Sequence, residues 1–64
     1  MTLGEKIKFI RMELKMSQRA FALEVGCAQS LISDYEANIK RPSYDLLVKL
    51  DDIVKQYKIK INLL

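Results

Sequence analysis

The chain has 64 residues with 11 Lys and Arg, 8 Asp and Glu, no His and one Cys. A single Cys excludes a disulfide scaffold and fits a reducing cytoplasm. The chain has no His and no phosphate-binding glycine loop, so its composition suggests no enzyme, no metal and no other cofactor. No apolar run approaches the roughly 20 residues of a membrane span. Because half of the residues are hydrophobic, we expect one small helical domain, and its net charge of +3 permits nucleic-acid binding.

The first helix is predicted to begin at Leu3, because Thr2 followed by Glu5 matches a capping box. Phe9 and Met12 lie outside its apolar face, and two interpretations stay open for them. They either flank a wide apolar face beneath the C-terminal segment, or they form a surface for a second copy or another partner. The apolar positions that should enter the core are Leu3, Ile7, Ile10 and Leu14.

Two short helical patterns separated by one glycine follow Ser17, which is a suitable N-cap. Phe21 and Val25 recur at helical spacing, as expected of residues that pack into a core. Gly26 can adopt the left-handed conformation that ends such a helix and turns the chain sharply. The sequence therefore predicts a helix-turn-helix, with motif helices at about 18–25 and 29–37.

The second motif helix has one apolar face and one polar face. Ile32 and Tyr35 lie on the side that should pack against the core. A helix laid in the major groove presents its first turns to the bases, where amides, hydroxyls and carboxylates can read adenine or cytosine. The alternative for this polar face is plain exposure to solvent. The residues that we predict to contact base edges are Gln29, Ser30, Ser33 and Asp34.

A turn and a long helix are predicted after the motif. Asn38 tolerates the left-handed conformation and should end the third helix. Lys40 and Arg41 follow in an exposed loop, where they could meet the sugar-phosphate backbone or remain solvated. Pro42 stops further helix and Ser43 caps the next one. The amphipathic face of that fourth helix comprises Tyr44, Leu47, Leu50 and Val54.

The hydrophobic period changes after the fourth helix. Ile59, Ile61 and Leu63 alternate with polar residues, which is the pattern of a half-buried strand. A lone strand cannot satisfy its own backbone hydrogen bonds. Residues 58–64 are therefore predicted to pair with the same strand of a second copy, or else to form a packed tail or a fifth helical turn. The domain itself is predicted to span residues 1–57.

Several fixed spacings connect the motif with the turn that follows it. The sequence reads S-Q-x-x-x-A-x-x-x-G-x-x-x-S-x-I-S-x-Y-E from Ser17 and N-x-x-R-P-S from Asn38. In these spacings the chain resembles the Cro/repressor (lambda-repressor-like, Xre) family of DNA-binding domains, from about Leu3 to about Val54. The resemblance implies an all-α, compact domain of four to five helices. It also implies a small transcriptional repressor that binds double-stranded DNA.

The resemblance implies roles for further residues. In the family, an arginine at the position of Arg11 pairs with the glutamate after the second motif helix, here Glu36. In the same family, a glutamine at the position of Gln18 bonds a DNA phosphate and braces the reading helix. A homodimer would bind a near-palindromic operator, with residues 58–64 as a candidate contact between the copies. The residues predicted to contact the DNA backbone are Gln18, Arg19, Asn38, Lys40 and Arg41.

Two functional hypotheses follow from these observations. The first is a sequence-specific repressor, for which a phage repressor, an antitoxin that represses its own operon and another operon regulator fit equally well. The second is a protein-interaction module, such as a toxin-binding antitoxin domain, that retains the fold with weak or no DNA binding. Phe9, Met12 and Leu23 would supply its surface, and the modest net charge favours it.

Overall fold

The structure, a computed structural model, describes residues 1–63 and is all-α over that range. Residues 1–63 contain no strand, and the prediction of a compact all-α domain is confirmed. Its four helices are α1 (Leu3–Glu13), α2 (Gln18–Val25), α3 (Gln29–Glu36) and α4 (Tyr44–Gln56). Helix α3 packs against both α1 and α2, and α2 also contacts α4.

Side-chain caps fix where α1 and α4 begin. Thr2 Oγ1 accepts a hydrogen bond from the Glu5 amide at 3.1 Å, and Glu5 Oε1 accepts one from the Thr2 amide at 2.8 Å. The second of these bonds is the main reason why the pKa of the Glu5 carboxyl is lowered. At α4, Ser43 Oγ accepts from the Leu46 amide at 3.2 Å. The capping box and the serine cap that the sequence predicts are therefore both present.

The core lies where the apolar faces of the four helices meet. Ile7 and Ile10 of α1 have no exposed surface, whereas Leu3 and Leu14 at the ends of that face are half-buried. The largest fully buried side chains are Phe21, Ile7, Ile10, Ile32, Leu50 and Val25. Because every helix contributes to one small core, the position of α3 depends on the other three helices.

The C-terminal tail, residues 58–63, packs against its own domain. The chain turns at Lys58, whose φ of 55° is left-handed, and the Ile59 amide donates to the Val54 carbonyl at 2.9 Å. Farther on, Lys6 Nζ donates to the Asn62 carbonyl at 2.8 Å. Leu63 is only 7% exposed. Of the outcomes that the alternating pattern left open, the single chain therefore shows a packed tail, and Leu64 lies outside the described residues.

The tail runs back along α1, and a groove of about 400 Å³ separates it from Phe9. The residues that line this groove include Phe9 and Leu14 of the first half of the chain and Tyr57 and Ile59 of the second. Phe9 is half-buried. Met12 is 58% exposed and remains on the surface. Phe9 therefore faces the C-terminal segment across the groove, whereas Met12 does not contribute to the core. No helix within residues 1–63 is long and apolar enough to cross a membrane.

Candidate nucleic-acid interface

The turn between α2 and α3 sets the relative position of the two motif helices. Ser17 Oγ accepts from the Ala20 amide at 3.1 Å, which caps the start of α2. Gly26 ends α2 with a φ of 80°, and its amide donates to the Ala22 carbonyl at 2.8 Å. Ala28, at the N-cap of α3, makes no side-chain cap. The two helices lie as a helix-turn-helix motif requires, although the start of α3 lacks one hydrogen bond that a serine or threonine would supply.

Cys27 is a half-buried residue of this turn. Burial raises the pKa of its thiol, and the nearby positive charge of Lys49 opposes that shift without reversing it. The hydrogen bond of the Lys49 ammonium goes to the Val25 carbonyl, at 3.2 Å, at the C-terminal end of α2. A thiol with a raised pKa carries little thiolate, so Cys27 fits a small apolar filler of the turn.

Helix α3 buries one face and presents the other to solvent. Ile32 is 1% exposed and Tyr35 is 8% exposed, whereas Gln29, Ser30 and Ser33 are all exposed. Because buried residues on the opposite side hold the helix, the polar side chains point away from the core together. Three of the four predicted base-reading residues are therefore free to approach a ligand.

Asp34, the fourth predicted base-reading residue, is paired with a cation. Its carboxylate lies 3.5 Å from Lys40 Nζ, and the two side chains are 29% and 58% exposed. The backbone keeps the two residues close, because the Ile39 and Lys40 amides both donate to the Asp34 carbonyl oxygen. The structure thus brings together one predicted base contact and one predicted backbone contact.

Glu36 joins three helices through its carboxylate. Arg11 Nε donates to Glu36 Oε2 at 2.6 Å and Arg11 Nη2 to Glu36 Oε1 at 3.1 Å, which is a bidentate pair. Arg11 Nη1 also donates to the Met16 carbonyl at 2.9 Å. The side chains of Arg11 and Glu36 are 14% and 6% exposed, so the pair is largely shielded from solvent. Its position ties α1 to the end of α3.

Gln18 contributes a third donor to the same carboxylate. Gln18 Nε2 lies 3.2 Å from Glu36 Oε1, and the side chain is half-buried at the start of α2. An amide nitrogen carries two hydrogens, so this bond leaves one for an external acceptor such as a phosphate. The resemblance implied that Gln18 braces the reading helix, but it did not indicate Glu36 as the partner, which lies 18 positions away in the sequence.

Asn38 has a structural use that sequence reasoning missed. Its φ of 59° is left-handed, as predicted, but its side chain reaches the start of α1. Asn38 Oδ1 accepts from the Gly4 amide and Asn38 Nδ2 donates to Thr2 Oγ1, both at 3.0 Å. These bonds close the turn after α3 onto α1. No local signal could have revealed them, since the partners are 34 and 36 residues away in the sequence.

The remaining predicted backbone contacts are exposed. Arg19 lies in the first turn of α2, and Arg41 lies in the loop before α4. Arg41 and Lys40 line one groove of about 340 Å³ together with Asn38 and the start of α1. Within residues 1–63, the guanidinium groups of Arg19 and Arg41 form no ion pair, so both charges are available to an anionic ligand.

A helix-turn-helix motif whose second helix exposes a polar face, with unpaired cations in α2 and in the loop before α4, is typical of DNA-binding regulators of transcription. A family model described as helix-turn-helix matches residues 7–55, which is more than half of the chain. The chain therefore belongs to the helix-turn-helix family of the Cro/repressor, Xre-like type. No curated protein and no solved structure gives a significant match to the chain.

Proposed function

We propose that this chain is a sequence-specific repressor that binds double-stranded DNA as a homodimer in the cytoplasm. The observation that carries the proposal is the outward polar face of α3, opposite the buried Ile32 and Tyr35. A helix that reads bases must expose its side chains, and it must also keep a fixed position relative to the rest of the protein. The bonds to the Glu36 carboxylate and the packed core hold α3 in that position.

The four side chains of α3 offer different chemistry to base edges. Gln29 can bond N6 and N7 of adenine through one amide. Ser30 and Ser33 can donate or accept, and their small size permits close approach to the groove. Asp34 can accept from N4 of cytosine. Together these groups give the helix the means to discriminate between base pairs.

The cations and amides around α3 would position the protein on the phosphates. Arg19 and Arg41 carry the exposed charges, and Gln18 retains one amide hydrogen beside the start of α2. We propose that Lys40 and Asn38 act from the turn after α3, where Asn38 also fixes the backbone through its bonds to α1. Such contacts set the register of the protein on DNA but carry no sequence information themselves.

A second copy would place two reading helices in successive major grooves, roughly 34 Å apart. Residues 58–64 remain our candidate contact between the copies. In the tail, Ile59, Ile61 and Leu63 face the core to different degrees, while Lys60 and Asn62 are exposed. The outward side of the tail is therefore accessible to a second copy. A twofold pair of this kind requires a near-palindromic operator.

Replacing Gln29 with alanine is expected to relax base choice at one position in each half-site of the operator, by roughly tenfold or more. Replacing Arg41 with alanine should weaken binding to all duplexes by a similar factor, because a phosphate contact is independent of sequence. The measurement is a fluorescence titration of each variant with the preferred duplex, with single-base variants of it and with a scrambled duplex.

The salt dependence of each titration supplies the control. In the proposed dimer, Arg41→Ala removes one phosphate contact from each subunit, so the slope of log affinity against log salt should become shallower by about 1.8, at about 0.9 per contact. Gln29→Ala should leave that slope unchanged. If neither substitution alters affinity or slope, the exposed face of α3 does not bind DNA and the proposal is wrong.

A protein-interaction module, such as a toxin-binding antitoxin domain, is the second candidate. It is favoured by two exposed apolar side chains, Met12 of α1 and Leu23 of α2, which are 58% and 76% exposed. A contiguous apolar patch marks a site for a partner, so this candidate requires one partner to cover both side chains. The same titrations separate the two candidates, because an interaction module without DNA binding would show no salt-dependent affinity for any duplex.

A further inference from the structure

The ion pair between Asp34 and Lys40 addresses a difficulty in the proposed interface. A carboxylate on a reading helix can accept from cytosine, but it also approaches two phosphate backbones of the same charge. An unpaired Asp34 would therefore oppose insertion of α3 into the groove. In residues 1–63 the structure pairs that carboxylate with a single cation, Lys40, at 3.5 Å.

The turn after α3 places Lys40 where it can act on Asp34 without blocking it. Asn38 reverses the chain with a left-handed φ of 59°, and the Ile39 and Lys40 amides both return to the Asp34 carbonyl, at 2.8 and 3.4 Å. Asn38 is itself anchored to Thr2 and Gly4 at the start of α1. The backbone that carries Lys40 is thus fixed relative to α3.

The Asp34 carboxylate and the Lys40 ammonium are both exposed enough to contact a base and a phosphate while they are paired. The Asp34 side chain is 29% exposed, so part of the carboxylate remains accessible while Lys40 is nearby. Lys40 is 58% exposed and an ammonium carries three donors, so it can serve a carboxylate and a phosphate together. A carboxylate has two oxygens, which allows one to face Lys40 and the other a cytosine amino group.

We propose that Lys40 is a specificity-determining residue: it neutralises Asp34 so that the carboxylate can enter the major groove and select a C·G pair. This inference rests on the proposed function, because it requires α3 to read DNA. It assigns Lys40 a role beyond a phosphate contact. A phosphate contact strengthens binding to every duplex, whereas a counter-charge for Asp34 matters most where α3 is fully inserted, at the preferred site.

The test compares Lys40→Ala with Arg41→Ala, a matched loss of one exposed cation from the same loop. The two probes are the duplex that the wild-type chain enriches from a random pool and a scrambled duplex of equal length. Lys40→Ala should lower the ratio of the two affinities about two- to fivefold, which is the range of effect expected for an exposed ion pair. Arg41→Ala should weaken both affinities equally and leave the ratio unchanged.

A second set of variants isolates Asp34. Asp34→Asn should remove discrimination between C·G and T·A at one position in each half-site of the enriched duplex. In that background, Lys40→Ala should no longer change the ratio of affinities, because no carboxylate remains to be neutralised. Melting curves of all variants check that each is folded, and the conservative Asp34→Asn change preserves the size of the side chain.

The outcomes distinguish this inference from the function on which it rests. If Lys40→Ala lowers both affinities equally, or if Asp34→Asn leaves discrimination intact at every C·G pair, Lys40 is only a phosphate contact and the inference is wrong. The effect of Gln29→Ala would still support base reading by α3 in that case. If the wild-type chain enriches no duplex, the proposed function fails and the inference fails with it.

Discussion

Replacing Arg11 with alanine is expected to lower the free energy of unfolding by about 3 kcal/mol, the size typical of removing one partner from a buried ion pair. The Glu36 side chain is only 6% exposed, and without Arg11 its carboxylate would keep a single side-chain donor, Gln18. In a domain of this length such a loss should lower the melting temperature by more than 10 °C. Thermal and urea unfolding followed by circular dichroism measure both quantities.

Lys8→Ala is the matched control for this prediction. Lys8 lies on the same helix one turn earlier but is exposed, and a surface change of this kind normally alters stability by less than about 0.5 kcal/mol. Equal melting temperatures for the two variants would show that the bond between Arg11 and Glu36 does not hold α1 to α3. Glu36→Gln provides a further check: it preserves the size of the side chain but replaces one accepting oxygen with an amide nitrogen that cannot accept, so it should also destabilise the domain.

Replacing Gly4 with alanine is expected to destabilise the fold by about 2–3 kcal/mol, although alanine normally stabilises a helix relative to glycine. A Cβ at this position would lie 2.4 Å from the Tyr35 carbonyl oxygen and 2.7 Å from that of Glu36. Both are backbone atoms in the last turn of α3, so relief requires α1 and α3 to separate. The measurement is again urea unfolding. The slope of the free energy of unfolding against urea concentration is compared with that of the wild type, because a different slope would indicate a change in the unfolded state.

The sign of the Gly4→Ala effect makes the result unambiguous. An increase in stability of about 1 kcal/mol would be the usual response of an exposed helical glycine, and it would contradict the close contact between the two helices. A decrease should be accompanied by weaker DNA binding, because Gly4 and Asn38 anchor the turn that carries Lys40. Salt titration of the variant would reveal that second effect.

Structural features that depend only on residues close together in the sequence could be predicted from the sequence alone. Thr2 and Glu5 predict the start of α1, because a capping box needs only those two side chains three residues apart. Gly26 predicts the turn, since few other residues adopt a left-handed conformation at no cost. The two faces of α3 follow from helical periodicity alone. The location of the candidate interface could therefore be predicted without coordinates.

Contacts between distant parts of the chain could not be predicted in the same way. The bonds from Asn38 to Gly4 and Thr2 depend on how α1 approaches α3, which no local pattern specifies. The tail shows the same limit. Alternation at Ile59 and Ile61 correctly indicates one buried side, but the pattern does not state whether that side packs on the same chain or on another. In the single chain, the face of α1 provides the partner.

The role of the exposed face of α3 is tested most directly by selecting bound duplexes from a random pool with the full chain. If side chains at positions 29, 30, 33 and 34 read DNA from a dimer, the enriched sequences should share a near-palindromic motif with half-sites about one helical turn apart. Enrichment of no common sequence at moderate salt would contradict base reading by this helix.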